Sequence, residues 1–302
     1  MKPLVTGATG FVGHRLLARL QQPLVLSRNA EKAQKDLAAF QVRAFAWEPM
    51  EGPPPAVAFE SVDTIFHLAG DPVAEGRWTD QKKARIRDSR IIGTRNLVAG
   101  LRNLAVKPQT LVCASAVGYY GSRGDEELDE TASPGSDFLA EVCVGWEREA
   151  ARARELGIRV VSIRTGIVLG TGGGALAKML TPFKLGIGSP LGNGRQYMPW
   201  VHIDDLVELM LLAAGNANLS GPVNGVAPHP VTNREFTKTL GHVLGRPTFM
   251  PAVPPIALKV LIGEFGQVLL DSQRAVPRAA LNAGFAFRFP KLEPALREIL
   301  HR

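Results

Sequence analysis

Residues 3–13 read Pro3-Leu4-Val5-Thr6-Gly7-Ala8-Thr9-Gly10-Phe11-Val12-Gly13. A short apolar strand runs into three spaced glycines, and that spacing predicts a turn built around phosphates. Gly7, without a Cβ, can turn tightly after the strand; Gly10 lets the backbone approach a pyrophosphate; Gly13 lets the next helix press against the sheet. The start of that helix offers unpaired N–H groups and the positive end of its dipole. An amphipathic segment, Phe11 to Leu20, follows, and then a second apolar strand, Leu24-Val25-Leu26. Strand, glycine turn, helix and strand form a βαβ unit, which separates this loop from the many strand-to-helix turns that bind nothing. The dinucleotide contacts expected from it are Thr6, Gly7, Thr9, Gly10, Phe11, Val12 and Gly13.

The end of the second strand should read the adenosine ribose, because an acidic side chain there would bond the 2′-hydroxyl of NAD. The residues are Ser27-Arg28-Asn29. No carboxylate is present, and the planar cation of Arg28 suits a 2′-phosphate, so the sequence favours NADP (NADPH) over NAD. Arg15, one turn into the first helix, is a second phosphate candidate. The alternative is that both arginines are solvated surface groups.

With 302 residues and 45% hydrophobic content, the chain can bury one large core or two unequal ones. Its formal charge of +7 comes from scattered basic residues without a dense run. That argues against a nucleic-acid partner and for attraction to an anionic cofactor and substrate. Two cysteines, Cys113 and Cys143, are too few for a disulfide framework, which points to a reducing compartment, the cytoplasm by default. The N-terminus enters a strand directly, so no signal peptide is expected, and no apolar stretch approaches the ~20 residues that span a bilayer, so no membrane partner is expected. The six histidines are dispersed, without spacing for a metal cage.

Strand-like and helix-like segments alternate through the first half, predicting an α/β fold with a doubly wound parallel sheet. Strands are expected at Gln41–Ala46, Thr64–Leu68, Leu111–Ala114 and Arg159–Arg164, with helices at Ala30–Phe40, Thr79–Leu104 and Asp137–Leu156. Gly170 to Gly194 breaks the repeat with glycines and prolines. Asp204–Ala214 again reads as helix and Val223–Gly225 as a returning strand. The expected division is a cofactor domain over 1–168 with 201–226, and a smaller substrate lobe over 169–200 and 227–302.

These residues resemble the extended short-chain dehydrogenases/reductases, the family that includes nucleotide-sugar epimerases and dehydratases. Gly7 to Gly13 resembles its cofactor loop, and His67-Leu68-Ala69-Gly70 the segment passing the adenine-ribose side. Gly93-Thr94 resembles a pair in the following helix, and Ser115 stands where a catalytic serine or threonine follows the fifth strand. Arg164-Thr165-Gly166 and Trp200-Val201-His202-Ile203-Asp204-Asp205 resemble later landmarks. More narrowly, Ala114 to Gly121, Gly76-Arg77-Trp78 and Asp137 to Cys143 resemble an atypical epimerase-like subfamily with a C-terminal domain of unknown function. Gln273 to Pro290 matches that domain through Pro277 and Gly284-Phe285. The resemblance implies a Rossmann-type fold with a C-terminal substrate lobe, NAD(P) binding, and contacts from His67, Leu68, Ala69, Gly70 and Ser115.

Redox catalysis in the wider family uses a tyrosine and a lysine four residues later, one helical turn apart, so that the ammonium lowers the phenol's pKa. Tyrosines occur only at 119, 120 and 197, and Arg123, Gly124 and Val201 lie four residues on. The two expected positions fall on Leu139 and Cys143. Ser115, with Tyr119 or Tyr120, is left to handle a proton, although serine alone is a poor donor and either tyrosine can be a packed aromatic. Glu141 is an acid or base if desolvated, or else a surface carboxylate paired with an arginine. Cys143 reads as a small buried residue. Arg77, Trp78, Arg195 and His202 come from loops expected to overhang a substrate, although for His202 a structural role, bonded to Asp204 or a backbone carbonyl, is favoured, and Asp205 is expected to cap or anchor the helix it begins. The expected function is an NADP-binding, epimerase-like oxidoreductase acting on a small anionic molecule, phosphorylated ones such as nucleotide sugars included. The alternative is a non-catalytic NADP sensor or regulatory protein.

Overall fold

The fold was determined as a computed structural model that describes residues 1–301. Seven parallel strands form the central sheet: β1 (Pro3–Thr6), β2 (Leu24–Ser27), β3 (Arg43–Ala46), β4 (Thr64–His67), β5 (Thr110–Ala116), β6 (Arg159–Thr165) and β7 (Gly221–Gly225). Their order is β7-β6-β5-β4-β1-β2-β3. The order reverses between β1 and β4, which opens a crevice at the carboxyl ends of those two strands.

Alternation along each strand divides the apolar residues between two layers. Val5, Phe66, Val112 and Val161 face one core with α1 (Phe11–Leu17), α2 (Ala30–Asp36) and a later helix at Ile203–Gly215. Leu4, Ile65, Leu111 and Val160 face the other with α3 (Asp80–Arg102) and α4 (Phe138–Ala151). Both sheet faces are therefore covered, as a fully parallel sheet requires. The chain then forms α5 (Gly174–Lys184), α6 (Ile203–Gly215), α7 (Asn233–Leu244), α8 (Pro255–Ile262) and a C-terminal helix, Leu292–Leu300. Leu176 and Phe183 of α5, Phe236 and Leu240 of α7, and Leu296 of the C-terminal helix share a third core around Trp200. Residues after it in the fold do not all stay there: Ala280, Phe285 and Phe287 return to the first core.

Local chemistry sets the boundaries. The third strand begins at Arg43 rather than Gln41, because Gln41 takes a left-handed φ of 53° that closes a short 3-10 turn over Ala38–Phe40. The fourth helix is α-helical to Ala151 and tightens to a 3-10 turn over Arg152–Leu156, stopped by Gly157 at φ 79°. Asp137 starts it by accepting the Ala140 amide.

Candidate functional site

The glycine turn is held from below by a buried staple. Thr6 Oγ1 accepts the amides of Leu68 (3.2 Å) and Ala69 (3.1 Å) and sits 2.8 Å from Nδ1 of His67. Nε2 of His67 lies 2.9 Å from Thr94 Oγ1. With both amides donated to Thr6, its own hydroxyl donates to Nδ1, and this assigns the ring proton to Nε2. Burial pushes His67 down to about 4, so the ring is neutral. Thr6 and His67, expected as cofactor contacts, are thus interior supports that fix the β4 end against β1 and α3. Gly7 at φ 69° lies so close to that end that a Cβ would sit 2.8 Å from the Leu68 carbonyl. A Cβ on Gly13 would collide with the Gly7 carbonyl, so helix and turn must touch here.

A cavity of about 440 Å³ opens above this platform. Gly7, Thr9 and Gly10 form its floor, Ser27 and Arg28 one wall, and Leu68, Ala69 and Gly70 another. Trp47, Arg85 and Ser89 close the far side. The first helix starts at Gly10 with no capping side chain and no acidic residue in its first turn, leaving its N-terminal charge for a ligand. Arg28 is exposed and has no ion pair among the described residues. Asn29 lies just outside, capping α2 by accepting the Lys32 amide at 2.8 Å.

Arg15 does not join this wall. Its Nε pairs with Asp204 at 2.5 Å, which raises its pKa, and it lines a separate cavity of about 550 Å³ on the other side of the loop. The reason is α6, whose first turn presents Asp204 to that face of α1. Phe11 borders the same second cavity and lies against Gly173 and Gly174, while Val12 packs on the first core. The other cation lining the Arg28 cavity is Arg85, 3.9 Å from Asp71, and nothing in the sequence distinguishes it from the other polar residues of a long helix.

At the end of β5 stands a polar network that the residue pattern did not disclose. Ser115, 4% exposed, donates its hydroxyl to Glu147 Oε1 at 2.7 Å. Arg164 on β6 grips the same carboxylate twice, through Nε at 2.8 Å and Nη2 at 2.9 Å. Its guanidinium also stacks on Tyr119, 3.4 Å from the ring centroid. Tyr120 is wholly buried: its hydroxyl donates to Asn224 Oδ1 at 2.7 Å and lies 3.1 Å from Arg164 Nη1, and burial pushes it up to about 12. Tyr120 is therefore withdrawn as a proton donor, since nothing from a cavity reaches it. Glu147 lies one helical turn beyond Cys143, itself one turn beyond Leu139, so all three share a face of α4. Leu139 packs against Gly118, and burial pushes the Cys143 thiol up to about 12, far from a thiolate. Glu141 is exposed in the first turn and forms no ion pair among the described residues.

The overhanging loops divide. Arg77 donates to the Val260 carbonyl at 2.8 Å, and Trp78 meets Phe138 edge to face at 5.4 Å and Phe265 at 5.8 Å. They clamp the 71–78 segment to α4 and to the residues after α8. Lys83, paired with Glu264, lies over the same aromatics. Arg195 is exposed, its amide bonded to Asn193. His202 is buried and fully engaged: Nδ1 accepts the Asp204 amide at 3.1 Å, Nε2 lies 3.0 Å from Glu298, and the ring stacks on Phe289 at 4.0 Å. It caps α6 and ties down the C-terminal helix, which is the structural role with Asp204 favoured from the sequence and not a substrate contact. Of the two roles expected for Asp205 it takes the anchoring one: its carboxylate accepts the amides of Arg288 and Phe289 and holds them to the start of α6.

Residues 3–224 match the NAD dependent epimerase/dehydratase family, and residues 253–299 match a domain of unknown function, DUF1731. The chain belongs to the NAD dependent epimerase/dehydratase family. It is 40% identical to the epimerase family protein SDR39U1 homolog, chloroplastic, of Arabidopsis thaliana, over 98% of this chain and 86% of that one. It is 37% identical to the Bacillus subtilis epimerase family protein YfhF, over 99% and 98%. Among solved structures, human epimerase family protein SDR39U1 (isoform 2) with NADPH superposes at a TM-score of 0.89, with 33% identity and all of both chains covered. The chain carries the glycine turn and a serine after β5, and none of its three tyrosines has a lysine four residues later. No helix of the described residues is long and apolar enough to cross a membrane.

Proposed function

We propose that this chain is an NADP-binding, epimerase-like oxidoreductase whose substrate is a small anionic molecule, a nucleotide sugar among them, held between the sheet and the C-terminal lobe. The observation that carries the cofactor reading is the 440 Å³ cavity, in which the glycine turn meets Ser27 and Arg28 with no carboxylate at the β2 end. A 2′-phosphate there would find the Arg28 guanidinium, unpaired among the described residues, whereas the β2 end offers a 2′-hydroxyl no carboxylate; Glu48 and Asp71 line the cavity from other strand ends, and Asp71 lies 3.9 Å from Arg85. The NADPH seen with the human relative supports the same choice. When bound, NADP supplies hydride chemistry.

The protein's own contribution would be at Ser115. Its hydrogen points to Glu147, which leaves the lone pairs of Oγ to accept a proton or an N–H from a ligand. A proton taken up at Oγ would be balanced by passage of the serine hydrogen to Glu147. Arg164 opposes that last transfer, because its double grip stabilises the carboxylate. This opposition favours the second reading, a sensor in which NADP occupancy rather than turnover is the output.

Titration with NADPH and NADH tests the cofactor reading, with tighter NADPH binding expected and equal affinities overturning it. Assaying a panel of nucleotide sugars with wild type and Ser115→Ala separates the two functions. Turnover that falls in the variant supports the enzyme, and unchanged NADPH binding with no turnover in either supports the sensor.

A further inference from the structure

The C-terminal lobe is biased in charge. No Asp or Glu occurs from Gly166 to Ile203 or from Phe236 to Gly263, whereas Lys178, Lys184, Arg195, Lys238, Arg246 and Lys259 do. The two acid-free stretches lie together in space. Leu191 bridges Val253, the Val253 amide donates to the Pro190 carbonyl at 2.8 Å, and a Cβ on Gly186 would stand 3.9 Å from Pro247.

Along this seam large apolar side chains face solvent. Leu185 is 70% exposed, Phe249 79%, Ile256 72%, Val260 67% and Leu261 69%. Ile256 and Val260 stand one turn apart on α8, with Lys259 beside them. Single exposed aliphatics need no explanation, but a group of them on two adjoining stretches without carboxylates does. Apolar tips with Lys184, Arg246 and Lys259 within a few residues of them match the interface of an anionic bilayer, where the tips enter the headgroup boundary and the cations meet lipid phosphates. A second copy fits poorly, because a two-fold interface would set this basic surface against itself.

We propose that the seam formed by residues 185–187, Phe249 and α8 docks on membrane surfaces that carry anionic lipid. The docking is peripheral, so it is compatible with the absence of a spanning helix among the described residues. It is independent of the cofactor reading.

Sedimentation of the full chain with phosphatidylcholine vesicles, with and without phosphatidylglycerol, tests it. The wild type should pellet with the anionic vesicles and stay in solution with the neutral ones. Phe249→Glu with Ile256→Glu should weaken anionic-vesicle binding by about ten-fold or more, from lost apolar burial, at an unchanged thermal midpoint. Should that pair misfold, Lys184→Glu with Lys259→Glu, which leaves the apolar tips intact, should abolish the preference for phosphatidylglycerol. Failure of the wild type to pellet with anionic vesicles overturns the proposal. So does a wild-type dimer in light scattering that Phe249→Glu dissociates, because a second copy would then cover the seam.

Discussion

Single residues decide what the cavity holds. If Arg28 meets a 2′-phosphate, Arg28→Asp removes charge-assisted bonds worth about 1.5–3 kcal/mol and should weaken NADPH about ten- to a hundred-fold while leaving NADH within a few-fold. Fluorescence titration of both cofactors checks this, and an unchanged ratio would shift the role to Arg85. At the proton site, Glu147→Gln should leave Ser115 bonded but strip Arg164 of its counter-charge. Because Arg164 is 3% exposed, that should cost about 3–5 kcal/mol of stability, read from urea unfolding. His67 gives a pH signature. Its ring titrates at about 4 in the folded state and near 6.5 unfolded, so its contribution to stability is complete above about 6.5 and is lost as the pH falls toward 4. The full effect is about 3 kcal/mol. Urea midpoints between pH 7 and 4 should therefore fall more steeply in wild type than in His67→Asn; parallel slopes would assign the acid limb to other groups.

At the level of elements, the strands and helices of the sheet were legible because alternation and amphipathic spacing are local. Leu4 and Val5 already sort to opposite layers by position alone. The glycine turn was legible for the same reason, since Gly7 and Gly13 are needed where a Cβ meets backbone. Gly13→Ala should accordingly push α1 off β1, lowering stability by about 1–3 kcal/mol and weakening NADPH, as a thermal shift with and without cofactor would record. The site network was not legible. Glu147 and Arg164 lie on different elements, and only the pairing of β6 beside β5 brings Arg164 level with Ser115. Arg15 misled for the complementary reason: its partner, Asp204, is distant in sequence.

Across the whole molecule, the chain after β6 does two jobs. α5, α7 and the C-terminal helix build a separate core, yet Ala280, Phe285 and Phe287 complete the first one, and Asp205 and His202 anchor residues 288–298 to α6. The sheet's first core and the C-terminal elements are therefore mutually supporting, a contact pattern that the proline-broken sequence after Pro228 could not announce. We propose that NADP lies in the cavity between the glycine turn and Arg28, with its nicotinamide directed toward Ser115 at the end of β5. A crystal structure with NADPH tests it most directly. The 2′-phosphate should lie within hydrogen-bond distance of the Arg28 guanidinium, and Ser115 should be the polar side chain nearest the nicotinamide. A 2′-phosphate held by Arg15, or a nicotinamide directed away from Ser115, would contradict it.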